Sequence, residues 1–137
     1  MKIGLLDVDS HNFPNLALMK ISAYYKQLGL DVSMYMPLYD YDKIYKSKIF
    51  TFTKDIKLLH NVEIIKGGTG YDVEKKLPDY IDKIYPDYSL YGITDTAYGC
   101  LTRGCFRKCD FCVVSKKEGV KVYQAYRLNQ FWNGQRY

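Results

Sequence analysis

The stretch from Lys2 to Met36 sets the fold class. "KIGLLDV" (2–8) is a short, nearly continuous apolar run with Ile and Val, the pattern of a strand covered on both faces in a parallel sheet. "SHNFPN" follows as a turn around Pro14. "NLALMKISAYYKQLG" (15–29) predicts a helix. Leu16, Leu18, Met19, Ile21, Ala23, Tyr25 and Leu28 form a wide apolar stripe, with Lys20, Lys26 and Gln27 off it. Asn15 suits the N-cap and Gly29 the left-handed stop. "DVSMYM" (31–36) predicts a second strand, which completes one βαβ unit.

The rest of the chain extends this alternation. "YDYDKIYKSK" is expected as a short helix, "IFTFT" (49–53) as a strand, and "VEIIKGGTG" (62–70) as a strand running into a glycine-rich turn. Between Pro78 and Pro86 at most a short helix fits. "LYGIT" (90–94) and "AYGCLT" (97–102) are expected strands, and "YQAYRLNQFWNGQ" (123–135) a helix ending at Asn133-Gly134. The predicted class is α/β with a largely parallel sheet. A composition of 47% hydrophobic and 26% charged residues excludes a disordered chain. The fifteen tyrosines are expected at the margin of the core, rings buried and hydroxyls bonded or wet. No apolar run approaches the roughly 20 residues needed to cross a bilayer. Asp7 interrupts the start too early for a signal-peptide core, so the expected location is cytoplasmic.

All four cysteines fall in "GCLTRGCFRKCDFC": Cys100, Cys105, Cys109 and Cys112. In a reducing compartment a tight thiol cluster binds metal more often than it forms disulfides. Cys105, Cys109 and Cys112, spaced C-x-x-x-C-x-x-C, can converge on one compact centre, and soft thiolates suit iron and sulfide. Three protein ligands on a four-iron cluster leave one iron open to a substrate or cofactor. Arg103, Arg107 and Lys108 lie close enough in sequence to favour the thiolates. The competing assignment is a four-thiolate structural zinc knuckle that includes Cys100. Zinc sites usually use two short-spaced pairs separated by a longer span, which is not the pattern here. Outside such a site, Cys100 is expected as a small buried apolar residue.

The C-x-x-x-C-x-aromatic-C pattern, with Phe111 as the aromatic, resembles the cluster motif of the radical S-adenosylmethionine (radical SAM) enzymes. "AYGCLTRGC" resembles a first barrel strand delivering that loop. The N-terminal part, "KIGLLDVDSHNFPNLALMKISAYYKQLG", resembles the cobalamin-binding-like, Rossmann-like domain that precedes the barrel in many of these proteins. With "YDKIYKSKIFTFT", "KGGTGYD" and "YPDYSLYGIT", the chain looks like the front of a little-characterised bacterial and phage group. The resemblance implies a domain over residues 1–95 and an incomplete (β/α) barrel over 96–137. It implies that Cys105, Cys109 and Cys112 ligate a [4Fe-4S] cluster whose open iron chelates S-adenosylmethionine (SAM). Phe111 would pack by cluster and adenine, and a flavodoxin- or ferredoxin-type electron donor would be a partner. Reductive cleavage of SAM would give a 5′-deoxyadenosyl radical that takes hydrogen from a substrate.

Several features stand beside this. Asp9-Ser10-His11 and Gly67-Gly68 resemble parts of a cobalamin motif, but glycine is required three residues after the histidine and Pro14 stands there. Cobalamin is therefore not expected; Asp9, Ser10 and His11 read as caps of a βα turn and "GGTG" as a turn needing positive φ. His60 is expected at the surface. Residues 98–137 carry eight basic against two acidic side chains. A nucleic-acid partner stays open, with no base-reading motif or stacking platform to support it. A six-unit partial barrel would take ~190 residues by proportion. The chain is thus expected to be a fragment, a frameshifted product or part of a split protein, inactive alone, its last 40 residues loosely packed or docked on the N-terminal sheet or a partner chain.

Overall fold

The computed structural model describes residues 1–136. Strand β1 (Lys2–Asp7), helix α1 (Leu16–Gln27) and strand β2 (Asp31–Met34) form the expected βαβ unit. Strands β3 (Lys43–Ser47) and β4 (Glu63–Gly67) extend it to a four-stranded sheet of order β2-β1-β3-β4. Every pairing is parallel, with Ile3 opposite Val32 on one side and opposite Lys43 on the other. The α/β class with a parallel sheet is therefore observed.

Both ends of α1 are built as its sequence requires. The Asn15 side chain accepts the Leu18 N–H at 3.2 Å, and Gly29 adopts φ 76° just past the end. The same Asn15 donates to Ser47 Oγ at 2.8 Å, tying the helix start to the end of β3. One face of the sheet packs Ile3, Leu5, Val32 and the Tyr45 ring against Leu18 and Ile21 of α1 and Ile81 of α2 (Asp79–Asp82). An aromatic group of Tyr35, Tyr41 and His60 packs together beside β2, with ring centroids 5.4–5.8 Å apart. His60 is thus not a plain surface residue. It bonds the Tyr35 hydroxyl and the Tyr39 carbonyl, and tyrosine rings flank it.

Several expected elements differ. "KIYKS" within the expected helix is strand β3. Its lysines obscured the strand pattern, because Lys46 and Lys48 are buried. Burial is tolerated because Lys46 pairs with Asp55 at 2.6 Å and Lys48 donates to the Thr53 carbonyl. "IFTFT" is a turn. Asp9, only 2% exposed, accepts the N–H groups of Ile49 and Phe50 at 2.7 and 2.9 Å. It holds this loop and does not cap the βα turn. Burial alone would raise its carboxyl, but the two backbone donors outweigh that and hold it below the usual range. "LYGIT" forms part of a 3-10 turn (Tyr88–Tyr91), because the Asp87 side chain caps Ser89 and Gly92 stops it at φ 66°.

The glycine-rich turn is where expected, and it closes against β3. Gly68 has φ 95°, and a Cβ there would lie 2.3 Å from the Lys48 carbonyl oxygen. Gly68→Ala is expected to cost ~2 kcal/mol or more, from left-handed strain plus a backbone clash. The measurement is the urea midpoint followed by circular dichroism. An unchanged midpoint would show that this turn is not packed on β3.

Candidate metal centre

The chain enters the cysteine region through a two-residue strand, β5 (Thr102–Arg103), and leaves it through β6 (Tyr123–Gln124). The two pair antiparallel, Thr102 opposite Gln124 and Arg103 opposite Tyr123. This corrects two expectations. The strand expected over 97–102 is confined to Thr102–Arg103, and the helix expected over 123–135 is absent from the described residues. In its place stand β6 and a 3-10 turn, Leu128–Gln130. A short helix α3 (Val114–Lys117) lies between the strands. The segment is therefore a hairpin-like stem carrying the cysteine loop, and not a βα unit. The apolar pattern alone did not reveal it, because the stem is held by long-range side-chain bonds.

Those bonds centre on Asp82 at the end of α2. Its carboxylate receives Lys20 from α1 at 3.1 Å, Arg103 from β5 at 3.2 Å and the Tyr126 hydroxyl at 2.5 Å. Lys20, Lys83 and Arg103 also stand 4.1, 4.5 and 4.9 Å from the Tyr126 ring centroid, within cation–π range. Lys20 is only 4% exposed, so its expected place off the apolar stripe is corrected. Burial lowers the Lys20 ammonium, and Asp82 opposes that. Burial also pushes the Asp82 carboxyl up, but Tyr126, Lys20 and Arg103 together hold it below the usual carboxylate range. Tyr126 is raised by burial and by its bond to Asp82. None of these partners was legible in the sequence, since they lie 21 to 62 positions apart. The C-terminal segment thus docks on α1 and α2, and not on the sheet.

Glu118, just past the end of α3, closes the stem, accepting the Gly104 N–H at 3.0 Å. The Cys105 N–H donates to the Gly119 carbonyl at 3.2 Å. Gly104 has φ 84°, and a Cβ there would lie 2.0 Å from the Lys121 carbonyl oxygen. Gly104→Ala is accordingly expected to open the stem while the four-stranded sheet stays folded. Limited trypsin digestion should then cut at Arg107 and Lys108 at least several-fold faster than in the wild type. An equal rate would mean that the stem does not restrain the loop.

Beyond the stem, residues 106–111 are exposed. All four cysteines are free thiols. The Cys112 N–H bonds the Cys109 carbonyl at 3.1 Å, which puts these two on one turn, while Cys105 sits at the stem. The donor set fits an iron–sulfur cluster in kind: three free thiols on one open loop, with basic side chains nearby. It is not gathered in advance. Among the described residues, no three His, Cys, Asp or Glu side chains stand together so as to hold a metal ion. Binding would have to draw the exposed turn of Cys109 and Cys112 toward Cys105, as metal binding commonly orders its own ligands.

Phe111 is 92% exposed. Two further expectations are corrected. Cys100 is exposed, not buried; the loop it occupies lacks the long strand that would have turned it inward. Arg103 is committed to Asp82 and Glu118, which leaves Arg107 and Lys108 as the cations of the loop itself. Among the described residues, no helix is long and apolar enough to cross a membrane. In comparison with known proteins, the chain matches no family model, no curated protein and no solved structure.

Proposed function

We propose that this chain is the N-terminal segment of a radical SAM protein of the cytoplasm. A Rossmann-like, cobalamin-binding-like domain would span residues 1–95 and the opening of a barrel residues 96–137. Cys105, Cys109 and Cys112 would ligate a [4Fe-4S] cluster. The observation that carries this is the C-x-x-x-C-x-F-C spacing on an exposed loop of free thiols. The four-stranded parallel sheet supports the N-terminal part. The antiparallel β5–β6 pair is not the neighbour a barrel strand needs, so the barrel assignment rests on the loop alone.

When bound, the cluster and SAM together supply one-electron cleavage of a sulfonium bond to a radical that abstracts hydrogen. The chain's own residues have narrower tasks. Cys109 and Cys112 present two thiolates from one turn, and Cys105 presents the third from a stem that Gly119 and Glu118 brace. Arg107 and Lys108 offset the negative charge of three thiolates. Phe111, exposed on that loop, would pack by the cluster and the adenine of SAM, as the motif resemblance implies. A flavodoxin- or ferredoxin-type protein would supply the electron.

The test is anaerobic reconstitution of the chain with iron and sulfide. About four irons and four acid-labile sulfides per chain, with a brown color bleached by dithionite, are the expected result. A folded, colourless protein that takes up one zinc instead would overturn the proposal in favour of a structural knuckle.

A further inference from the structure

A second site stands apart from the thiols. A cleft of about 770 Å³ opens between the first half of α1, the carboxyl ends of β3 and β4, and the segment from Lys75 to Lys83. That volume lies in the range of small-molecule sites. The cleft lies outside the carboxyl ends of two neighbouring parallel strands, the end of an open parallel sheet at which ligands bind.

The lining has two characters. Ile21, Tyr45, Ile65, Leu77 and Tyr80 offer an apolar and aromatic wall. The remaining wall is cationic: Lys20, Lys75, Lys76, Lys83, Arg103 and Lys117 line it, against the carboxylates of Asp79, Asp82 and Glu118. Asp82 is already shared by Lys20 and Arg103, and Glu118 is taken by Arg103 and the Gly104 N–H. Among the described residues, Lys75, Lys76, Lys83 and Lys117 have no carboxylate within ion-pair distance. Lys83 and Lys117 instead donate to the carbonyls of Ala125 and Lys75. Asp79 is the one lining carboxylate outside those pairs, so positive charge is in excess at the cleft and an anionic ligand would relieve the repulsion among the four ammonium groups.

We propose that this cleft binds a mononucleotide-class ligand. Its planar ring lies on the Tyr45–Ile65–Leu77 wall, and its phosphates meet Lys75, Lys76, Lys83 and Lys117. The proposal does not depend on the thiol loop and stands whether or not Cys105, Cys109 and Cys112 hold a cluster.

Calorimetric titration of the full chain with ADP tests it, with adenosine and pyrophosphate as separate arms. Saturable one-to-one binding of ADP, at least tenfold tighter than either half, is the expected result. The double variant Lys75→Gln/Lys76→Gln changes two exposed side chains, so its circular dichroism should match the wild type while ADP affinity falls at least tenfold. Lys57→Gln, outside the cleft, should leave affinity unchanged. Absence of saturable ADP binding overturns the proposal, as does full affinity in the double variant. Pyrophosphate or a single-stranded oligonucleotide binding as tightly as ADP also overturns it, and would mark a general polyanion surface.

Discussion

Cys109→Ala should leave the reconstituted chain colourless, with iron reduced to a small fraction of the wild-type content. A cuboidal cluster held by three protein thiolates does not survive with two from so exposed a loop. Among the described residues no carboxylate or imidazole joins the cysteines in a possible metal group. Cys100→Ala, by contrast, should bind iron and sulfide as the wild type does, since Cys100 lies outside the spacing that defines the triad. The contrast separates the two metal chemistries. A four-thiolate zinc site would lose metal in both variants, whereas the cluster loses it only in one. The sheet does not depend on the loop, so Cys109→Ala should keep the wild-type far-ultraviolet spectrum. Equal iron content in the Cys109 and Cys100 variants would rule out the assignment.

The largest stability effect is expected at Asp82. Its carboxylate is the shared partner of buried Lys20, half-buried Arg103 and Tyr126, drawn from three parts of the chain. Asp82→Asn keeps the shape but removes the charge, which leaves a buried ammonium uncompensated. Breaking one side of a buried pair costs about 3–5 kcal/mol, so the melting temperature should fall on the order of 10 °C. Glu63→Gln, which breaks an exposed pair with Lys43, should cost less than ~1 kcal/mol. A change at Asp82 no larger than that at Glu63 would show that the cluster does not form.

The pH dependence has a definite sign. The Asp82 carboxyl is held below its ordinary value in the folded chain, so its contribution is complete above the unfolded value of about 4. It is lost as pH falls through the lower folded value. Asp55 behaves in the same direction: burial raises it, but Lys46 and Tyr71 outweigh that and bring it to about 2. Wild-type stability should therefore decline between roughly pH 4 and pH 2, and Asp82→Asn should decline less steeply. Urea titrations at several pH values measure both slopes.

How legible each part was follows from the range of the forces involved. β1, α1, β2 and β4 were readable because their apolar spacing and caps act over a few residues. β3 was hidden by Lys46 and Lys48, whose burial depends on Asp55 and Thr53 beyond the strand. The 3-10 turn at Tyr88–Tyr91 displaced an expected strand because one aspartate and one glycine outweighed a short apolar run. At the site, the identity and spacing of the thiols were plain. The exposure of Phe111 and Cys100 and the antiparallel stem were not.

The amino-acid order by itself determined the βαβ unit, the glycine-dependent turn and the set of three neighbouring thiols, since each follows from local sterics, periodicity or side-chain chemistry. Tertiary structure decided where the C-terminal segment docks, which lysines lie buried, and that a cationic cleft forms at the ends of β3 and β4. Those outcomes depend on charges meeting across dozens of residues, where burial strengthens each pairing and no short stretch of sequence records the partner.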